Sequence, residues 1–360
     1  MKILHIEAGR HLYGGARQVQ YILEGLSARG VSNVLACPPG AHIAQAAHAW
    51  AQVVEIPMKG DLDVGLVWRL LRLIRSTQVD LVHVHSRRGA DVWGPLAARL
   101  AGIPCVISRR VDNAEKPWIA RLKYRHVQRI ITISEGIRAV MLSQGLPPQQ
   151  VVCVRSALDP TPYLRPYDKA AFRSALGVNE DTLLVGMVAQ LIERKGHRHL
   201  LAALPSVLEH SPNLQVLIYG RGPLETVLRQ EIKQLNLEQH VRMMGFSEDL
   251  PRTLGCLDLL VHPADMEGLG IALLQASAAK LPIIASRAGG MPEAVHDGVN
   301  GLLISPGDVP GLACAMQTLL ADQPLRSRMG EAGRELILRE FSTDTMCDGN
   351  LAVYREVLEA

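Results

Sequence analysis

Several short stretches hold residues whose types and spacing suit chemistry, and most of them would attract an anion. In VAQLIERKGHRHLLAA, Arg194, Lys195 and Gly196 stand where a strand end passes into a helix. A cation over a helix N-terminus makes a pocket for a diphosphate, because the first backbone N–H groups there lack partners and carry partial positive charge. Solvated cations at a helix start are the plainer reading. IYGRGPLE ends the next strand and adds Arg221. EAGRHLYGGARQ follows the first strand, where Gly9, Gly14 and Gly15 let backbone amides approach an anion; a glycine-eased turn is the alternative. MEGLGIALLQASA carries one acid, Glu267, and one amide, Gln275, in a run otherwise glycine or apolar. An acid just before a helix can accept hydroxyl donors while neighbouring amides take an anion.

The first half offers a different set. VDLVHVHSRRGADVWG places His83 and His85 on one strand face, with Ser86, Arg87 and Arg88 at the strand end. Side chains two apart align on a strand, so the pair could ligate a metal, but no third ligand has clear spacing. A buried, hydrogen-bonded His83 is the simpler account. PCVISRRVDN ends a neighbouring strand with Arg109 and Arg110. Asp61-x-Asp63 in GDLDVG precedes a helix beginning near Val64, where Asp63 reads as an N-cap and not as a metal ligand. EKPWIARLKYRHVQR sets Trp118, Ile119 and Leu122 among Arg121, Lys123, Arg125 and Arg129, as helices lying on anionic lipid do; a core helix with a basic outer face is the competing account.

The elements that must position these residues alternate. Thirteen short apolar runs, from KILHIE to NGLLIS, are separated by amphipathic stretches such as Ala16–Arg29, Val64–Thr77 and Ala90–Ala101. Unalternated apolar strands between helices mean parallel sheets covered on both faces, hence two doubly wound, Rossmann-like α/β domains. LDPTPYLRPYDKAAF, rich in proline, reads as the linker. The expected division is 1–165, 166–342 and a final helix, 343–360, returning toward the N-terminal domain. At 360 residues with 48% hydrophobic and 20% charged content, the chain has material for two cores and is not a disordered one.

Charge is divided between the halves. Residues 1–165 hold 21 Lys+Arg against 11 Asp+Glu, a balance of +10, whereas residues 166–360 hold 17 against 24, a balance of −7. The first half is therefore expected to meet something anionic. With aromatics at 4%, a phosphorylated acceptor or a lipid surface fits better than nucleic acid. Six scattered cysteines without a C-x-x-C pair point to reduced thiols, and MKILHIEAG reads as a strand and not a signal peptide. A cytoplasmic protein, peripheral on the cytoplasmic face of the inner membrane, is expected. The glycine loop is not G-x-G-x-x-G and has no ribose-binding acid at the right distance, which disfavours a dehydrogenase.

Taken together, Glu267-Gly268, Gly289-Gly290-Met291-Pro292-Glu293 and Asp297-Gly298-x-Asn300-Gly301 resemble the donor domain of family-four retaining glycosyltransferases of the GT-B fold, over roughly residues 180–320. The resemblance implies two domains facing across a cleft and a nucleotide-sugar donor, a UDP-sugar first, with no cofactor or metal. Lys195 would contact the diphosphate, with Arg194, Arg221 and Gln190 nearby. Gly268, Leu269 and Gly270 would offer amides, and Glu267 would hold sugar hydroxyls. Backbone at Gly245 and Phe246 would receive the base, Gln275 the ribose, and Gly14 and Gly15 would close over the phosphates. His85, Arg87, Arg88, Arg109 and Arg110 would line the acceptor side, where many relatives carry T-x-H-G and this chain carries arginine, pointing to an anionic glycan or glycolipid.

Two positions depart from that family. The Glu-x7-Glu pair becomes Glu267…Gln275, and Gly-Arg before the Lys-Gly becomes Ala189-Gln190. The expected activity is retaining transfer of a sugar to a cell-envelope glycan or lipid-linked acceptor, such as lipopolysaccharide core. A GT-B nucleotide-sugar epimerase, or a non-catalytic nucleotide-sugar-binding partner, are the alternatives; products formed from donor alone separate the first, and binding without turnover the second.

Overall fold

Strong strand formers in short apolar runs dictate the architecture. In a computed structural model of the chain, which describes residues 1–12, 14–86, 89–165, 167–247 and 249–360, two compact units form: Met1–Ala157 with Thr343–Ala360, and Leu158–Ser342. The first is built on β1 (Lys2–Ile6), β2 (Ser32–Cys37), β3 (Gln52–Glu55), β4 (Leu81–Val84), β5 (Cys105–Arg109), β6 (Arg129–Thr132) and β7 (Val151–Cys153). The second holds β8 (Leu183–Val188), β9 (Leu214–Tyr219), β10 (Val241–Gly245), β11 (Leu259–His262), β12 (Ile283–Ser286) and β13 (Gly301–Ile304).

All pairings between these strands are parallel, in the orders β3-β2-β1-β4-β5-β6-β7 and β10-β9-β8-β11-β12-β13. Parallel sheets need apolar cover on both faces, and β1 shows how this is met. Ile3 packs with Ile22, Leu26, Val353 and Tyr354 on one side, whereas Leu4 and Ile6 pack with Leu70, Ile74 and Val82 on the other. The last helix, Thr343–Glu359, thus belongs to the first unit's core. In the second unit, Val185 and Met187 of β8 pack with Leu200, Leu204, Val216, Ile218 and Val261. Truncating such a side chain to alanine typically costs about 2–5 kcal/mol.

Strand order reverses beside β1 in the first unit, where β4 is its other neighbour, and beside β8 in the second, where β11 is. In open α/β sheets the carboxyl ends of strands flanking such a reversal open a crevice for ligands. Glu7 and His85 follow β1 and β4, while the segments 189–195 and 263–268 follow β8 and β11. Both units are therefore doubly wound and α/β, and the chemically active stretches fall where that topology places binding.

Two local expectations change. The helix after GDLDVG runs Leu66–Thr77 with Gly65 at its N-cap and no side-chain cap. Asp63 instead accepts the Lys59 N–H at 2.8 Å and pairs with the Arg69 guanidinium at 2.5 Å. That arginine, one turn into the helix, competes more strongly for the carboxylate than a backbone amide does.

Candidate functional site

In the second unit the chain leaving β8 makes a single turn, Glu193–Lys195, before the helix His197–Leu208. Gly196 takes φ +73° there, and a Cβ would lie 1.9 Å from the Pro263 carbonyl oxygen, so only glycine fits. The close approach of these loops lays Lys195 against the segment after β11. Lys195 is not solvated: its side chain is 10% exposed and its Nζ donates to Glu267 Oε2. His262, the last residue of β11 and buried, lies 3.1 Å from the same oxygen through Nε2, and the Gly268 N–H donates to Oε1 at 3.1 Å. Gly289 fixes the other side. Its φ is +55°, a Cβ would fall 1.8 Å from the Glu267 carbonyl oxygen, and that oxygen accepts the Gly290 N–H.

The carboxylate is thus held from three sides. Burial alone would push it up, but the His262 hydrogen bond and the Lys195 charge outweigh burial and hold it at about 2. His197, buried just after Gly196, is pushed down to about 4, first by burial and then by the charges of His262 and Lys195. Neither of its ring nitrogens has a partner among the described residues, and His262 Nδ1 is likewise unpartnered. Gly268, Leu269 and Gly270 are buried beside Glu267, and Gly270 at φ +90° caps the helix Ile271–Ala278 without any side-chain cap. Its first amides keep the orphaned donors that suit an anion or hydroxyl oxygen.

The remaining donor-side expectations spread outward. Gln275 lies half-buried in Ile271–Ala278, and Arg194 is half-buried. Gln190 and Arg221 are exposed, with the Arg221 guanidinium 5.7 Å from the centre of the exposed Phe246 ring, next to Gly245 at the end of β10. His262 and His197 escaped the sequence reading. The signal was present: a polar residue closing the apolar run LDLLV, and a histidine directly after Lys-Gly.

In the first unit, register brings His5 of β1 opposite His83 of β4, with His85 one pleat further on. A third histidine therefore joins the pair that appeared to lack one: ligand atoms of His5, His83 and His85 lie within 4.8 Å of one another. Protein partners occupy most of these nitrogens. His5 Nδ1 is 2.9 Å from His85 Nε2 and its Nε2 is 3.2 Å from Asn33 Oδ1. His83 bonds Tyr354 Oη through Nδ1 and Ser108 Oγ through Nε2 at 2.9 Å. Burial pushes His5 down to about 4 and holds His83 and His85 well below the ordinary range, with charge from neighbouring histidines and Arg110 adding to the effect on those two.

His85 opens onto a cavity of about 340 Å³ that also takes in Glu7, Gly15, Ser86 and Arg110. Gly14 and Gly15 begin the helix Gly14–Ala28. Arg109 also lines this cavity; it is 2% exposed, donates to the Asn113 carbonyl at 2.5 Å and lies 3.6 Å from Glu115. Arg87 and Arg88 lie outside the described residues.

Two doubly wound sheets of seven and six parallel strands are those of the GT-B fold. The chain belongs to the group 1 family: it matches "Glycosyl transferases group 1" over residues 168–336 and "Glycosyltransferase Family 4" over residues 13–161. It is 30% identical over 295 residues to the GDP-mannose-dependent alpha-(1-6)-phosphatidylinositol monomannoside mannosyltransferase of Mycolicibacterium smegmatis, covering 77% of this chain and 76% of that one. Similarity to the lipopolysaccharide core biosynthesis glycosyltransferase LpsE of Rhizobium meliloti is 27% identity, covering 98% of both chains. The crystal structure of Anabaena Alr3699/HepE in complex with UDP superposes with a TM-score of 0.86 at 21% identity, over 99% of this chain and 100% of that chain.

Proposed function

We propose that this glycosyltransferase moves a sugar, with retention of anomeric configuration, from a nucleotide-diphosphate sugar to a cell-envelope glycan or lipid-linked acceptor such as lipopolysaccharide core. The observation that carries the reading is the buried Lys195–Glu267 pair, clamped by His262 between the carboxyl ends of β8 and β11. A carboxylate held ionised accepts sugar hydroxyls, and the ammonium beside it stabilises negative charge on a departing diphosphate. In the proposed step the bond from the anomeric carbon to diphosphate breaks and one to the acceptor oxygen forms on the same face. The acceptor proton passes to a leaving-group oxygen, and Lys195 with the amides at Leu269 and Gly270 takes up the developing charge. No metal is assigned a part.

The base is proposed as uracil, supported by the fold shared with a UDP complex; the mycobacterial relative's name mentions GDP-mannose instead. Among the described residues no helix is long and apolar enough to cross a membrane. Peripheral contact through residues 115–129 is part of the proposal. Trp118 is 65% exposed beside exposed Ile119 and Leu122, flanked by exposed Lys116, Arg121 and Arg125. Lys123 turns inward to Asp91 at 2.6 Å and Glu115 at 3.0 Å, so it is not part of that face.

One set of measurements tests this. Among UDP-, GDP-, ADP- and CMP-sugars at about 1 mM, a UDP-sugar should raise Tm by several degrees. Stabilisation by none of them ends the donor assignment, and a product of inverted configuration ends retention. Co-sedimentation with phosphatidylglycerol vesicles but not phosphatidylcholine vesicles is expected, and its absence removes the membrane contact.

A further inference from the structure

The first unit's cavity contains a guanidinium whose hydrogen-bonding capacity is largely unspent. Arg110 directly follows β5, and its Nε is buried without a partner among the described residues. Its one described hydrogen bond, Nη2 to His85 Nδ1, is long at 3.5 Å. Guanidinium offers five N–H donors in a rigid fork, so a half-buried one with so few acceptors is poised for an oxyanion. Its neighbour Arg109 shares the unpartnered Nε, but the terminal nitrogens of Arg109 are committed to Asn113 and Glu115.

The surrounding charges agree. Among the residues lining the cavity, Asp91 is paired with Lys123 and Arg109 with Glu115. That leaves Arg10 and Arg110 against Glu7, whose Oε1 already accepts the Gly9 N–H at 2.7 Å. His85 stays neutral through burial and can serve as a hydrogen-bonding wall. Gly15 and Ala16 add the positive end of the fifteen-residue helix Gly14–Ala28, and Ser86 adds a hydroxyl. The cavity, about 340 Å³, has room for a phosphorylated sugar ring.

We propose that this cavity is an oxyanion subsite in which Arg110 recognises a phosphate carried by the acceptor, so that Arg110 sets acceptor specificity. As an acceptor subsite it rests on the transferase reading above; as a phosphate site it stands on the first unit alone. Arg110 acts by binding and is assigned no proton-transfer role.

The test is isothermal titration of the full-length protein, saturated with UDP, using glucose-6-phosphate, glucuronate and glucose as probes. Glucose-6-phosphate should bind best, and R110Q should weaken it at least about tenfold, as expected for losing a charge-assisted bond, with R110K keeping part of the affinity. Gly15→Asp, titrated without UDP because Gly15 is also expected to close over the donor phosphates, supplies a second variant. A Cβ there lies 3.7 Å from Arg110 Cδ, so the new carboxylate fits beside the guanidinium and should abolish phosphate binding. Variants are compared only where their melting temperatures match the wild type. Undiminished binding by R110Q and G15D overturns the site, as does equal affinity for glucose. Tighter binding of glucuronate overturns the choice of phosphate. Loss of hexose-phosphate binding when UDP saturates overturns the acceptor assignment. If UDP itself never binds, the donor reading falls while the hexose-phosphate titration in its absence still decides the cavity.

Discussion

The crevices of the two units are built on one plan and finished in opposite ways. In each, a loop leaving the strand at the reversal point meets the loop leaving its neighbour. The second unit fills that meeting point with charges that answer each other, Lys195 and Glu267, and with His262 hydrogen-bonded to the same carboxylate. The first fills it with neutral histidines that answer each other, leaving the Arg110 charge thinly matched. A saturated ion pair is preorganised to hold neutral hydroxyls and to respond when charge develops nearby, which suits a reacting centre. An unsaturated cation waits for a partner that arrives already charged, which suits recognition. The same topology thus supports two kinds of site, and the polar residues at the strand ends decide which.

The largest expected effect comes from breaking the saturated pair. Lys195→Met leaves Glu267 buried with one partner fewer and should lower stability by about 3 kcal/mol, as for a one-sided break of a buried ion pair. Transfer should fall about 10²- to 10³-fold. Adding Glu267→Gln to that variant should restore most of the stability but none of the activity, the coupling expected of two groups that stabilise each other. Denaturant midpoints of the two single variants and the double one measure this. Additive losses across the cycle would show that the pair is not coupled.

Acid should bear on both crevices through their buried histidines. His5 is lowered from 6.5 to about 4 in the folded protein, so the unfolded chain binds its proton first as pH falls. Its contribution is complete above pH 6.5 and is lost progressively toward pH 4, up to about 3 kcal/mol. His83 and His85 shift in the same direction and add to the loss. Glu267, lowered from 4.5 to about 2, acts only below pH 4.5. His197 in the second unit shares the histidine window, so the discriminating variant is His5→Gln. Stability measured across pH 6.5 to 4 should fall less steeply in that variant; an unchanged slope would mean His5 does not titrate with folding.

The strands were legible because parallel sheets demand continuous apolar runs, and LDLLV or LVHV admits little else. The site was legible in parts. Lys195 and Glu267 stood out by type and neighbouring glycines, yet that they touch each other was not visible across seventy-two positions. His5 could not be paired with His83 from spacing, because the join is made by register between β1 and β4. Arg109 and Arg110 are indistinguishable as letters. Both line the cavity, but Arg109 lies 3.6 Å from Glu115 whereas Arg110 has only a long hydrogen bond to His85. Asp63 was misread because local capping rules ignore a competing arginine one turn away.

The smallest effect concerns Gln275, where the chain departs from its family's second acid. Half-buried on Ile271–Ala278, it sits in the helix that follows Glu267, whose carboxylate is already satisfied by Lys195 and His262. Gln275→Glu would add a charge that nothing in the saturated site answers, so the free protein should lose about 0.5–1 kcal/mol of stability through like-charge repulsion. If the position meets the ribose, a charge-assisted bond replaces a neutral one, and affinity for UDP should rise about three- to tenfold. Affinity and stability then move in opposite directions, a signature that general loosening cannot imitate. Titration of UDP alongside thermal unfolding reads both. A variant that binds UDP no better removes the ribose role, and with it the main reason for treating Gln275 as a softened acid instead of a helix side chain.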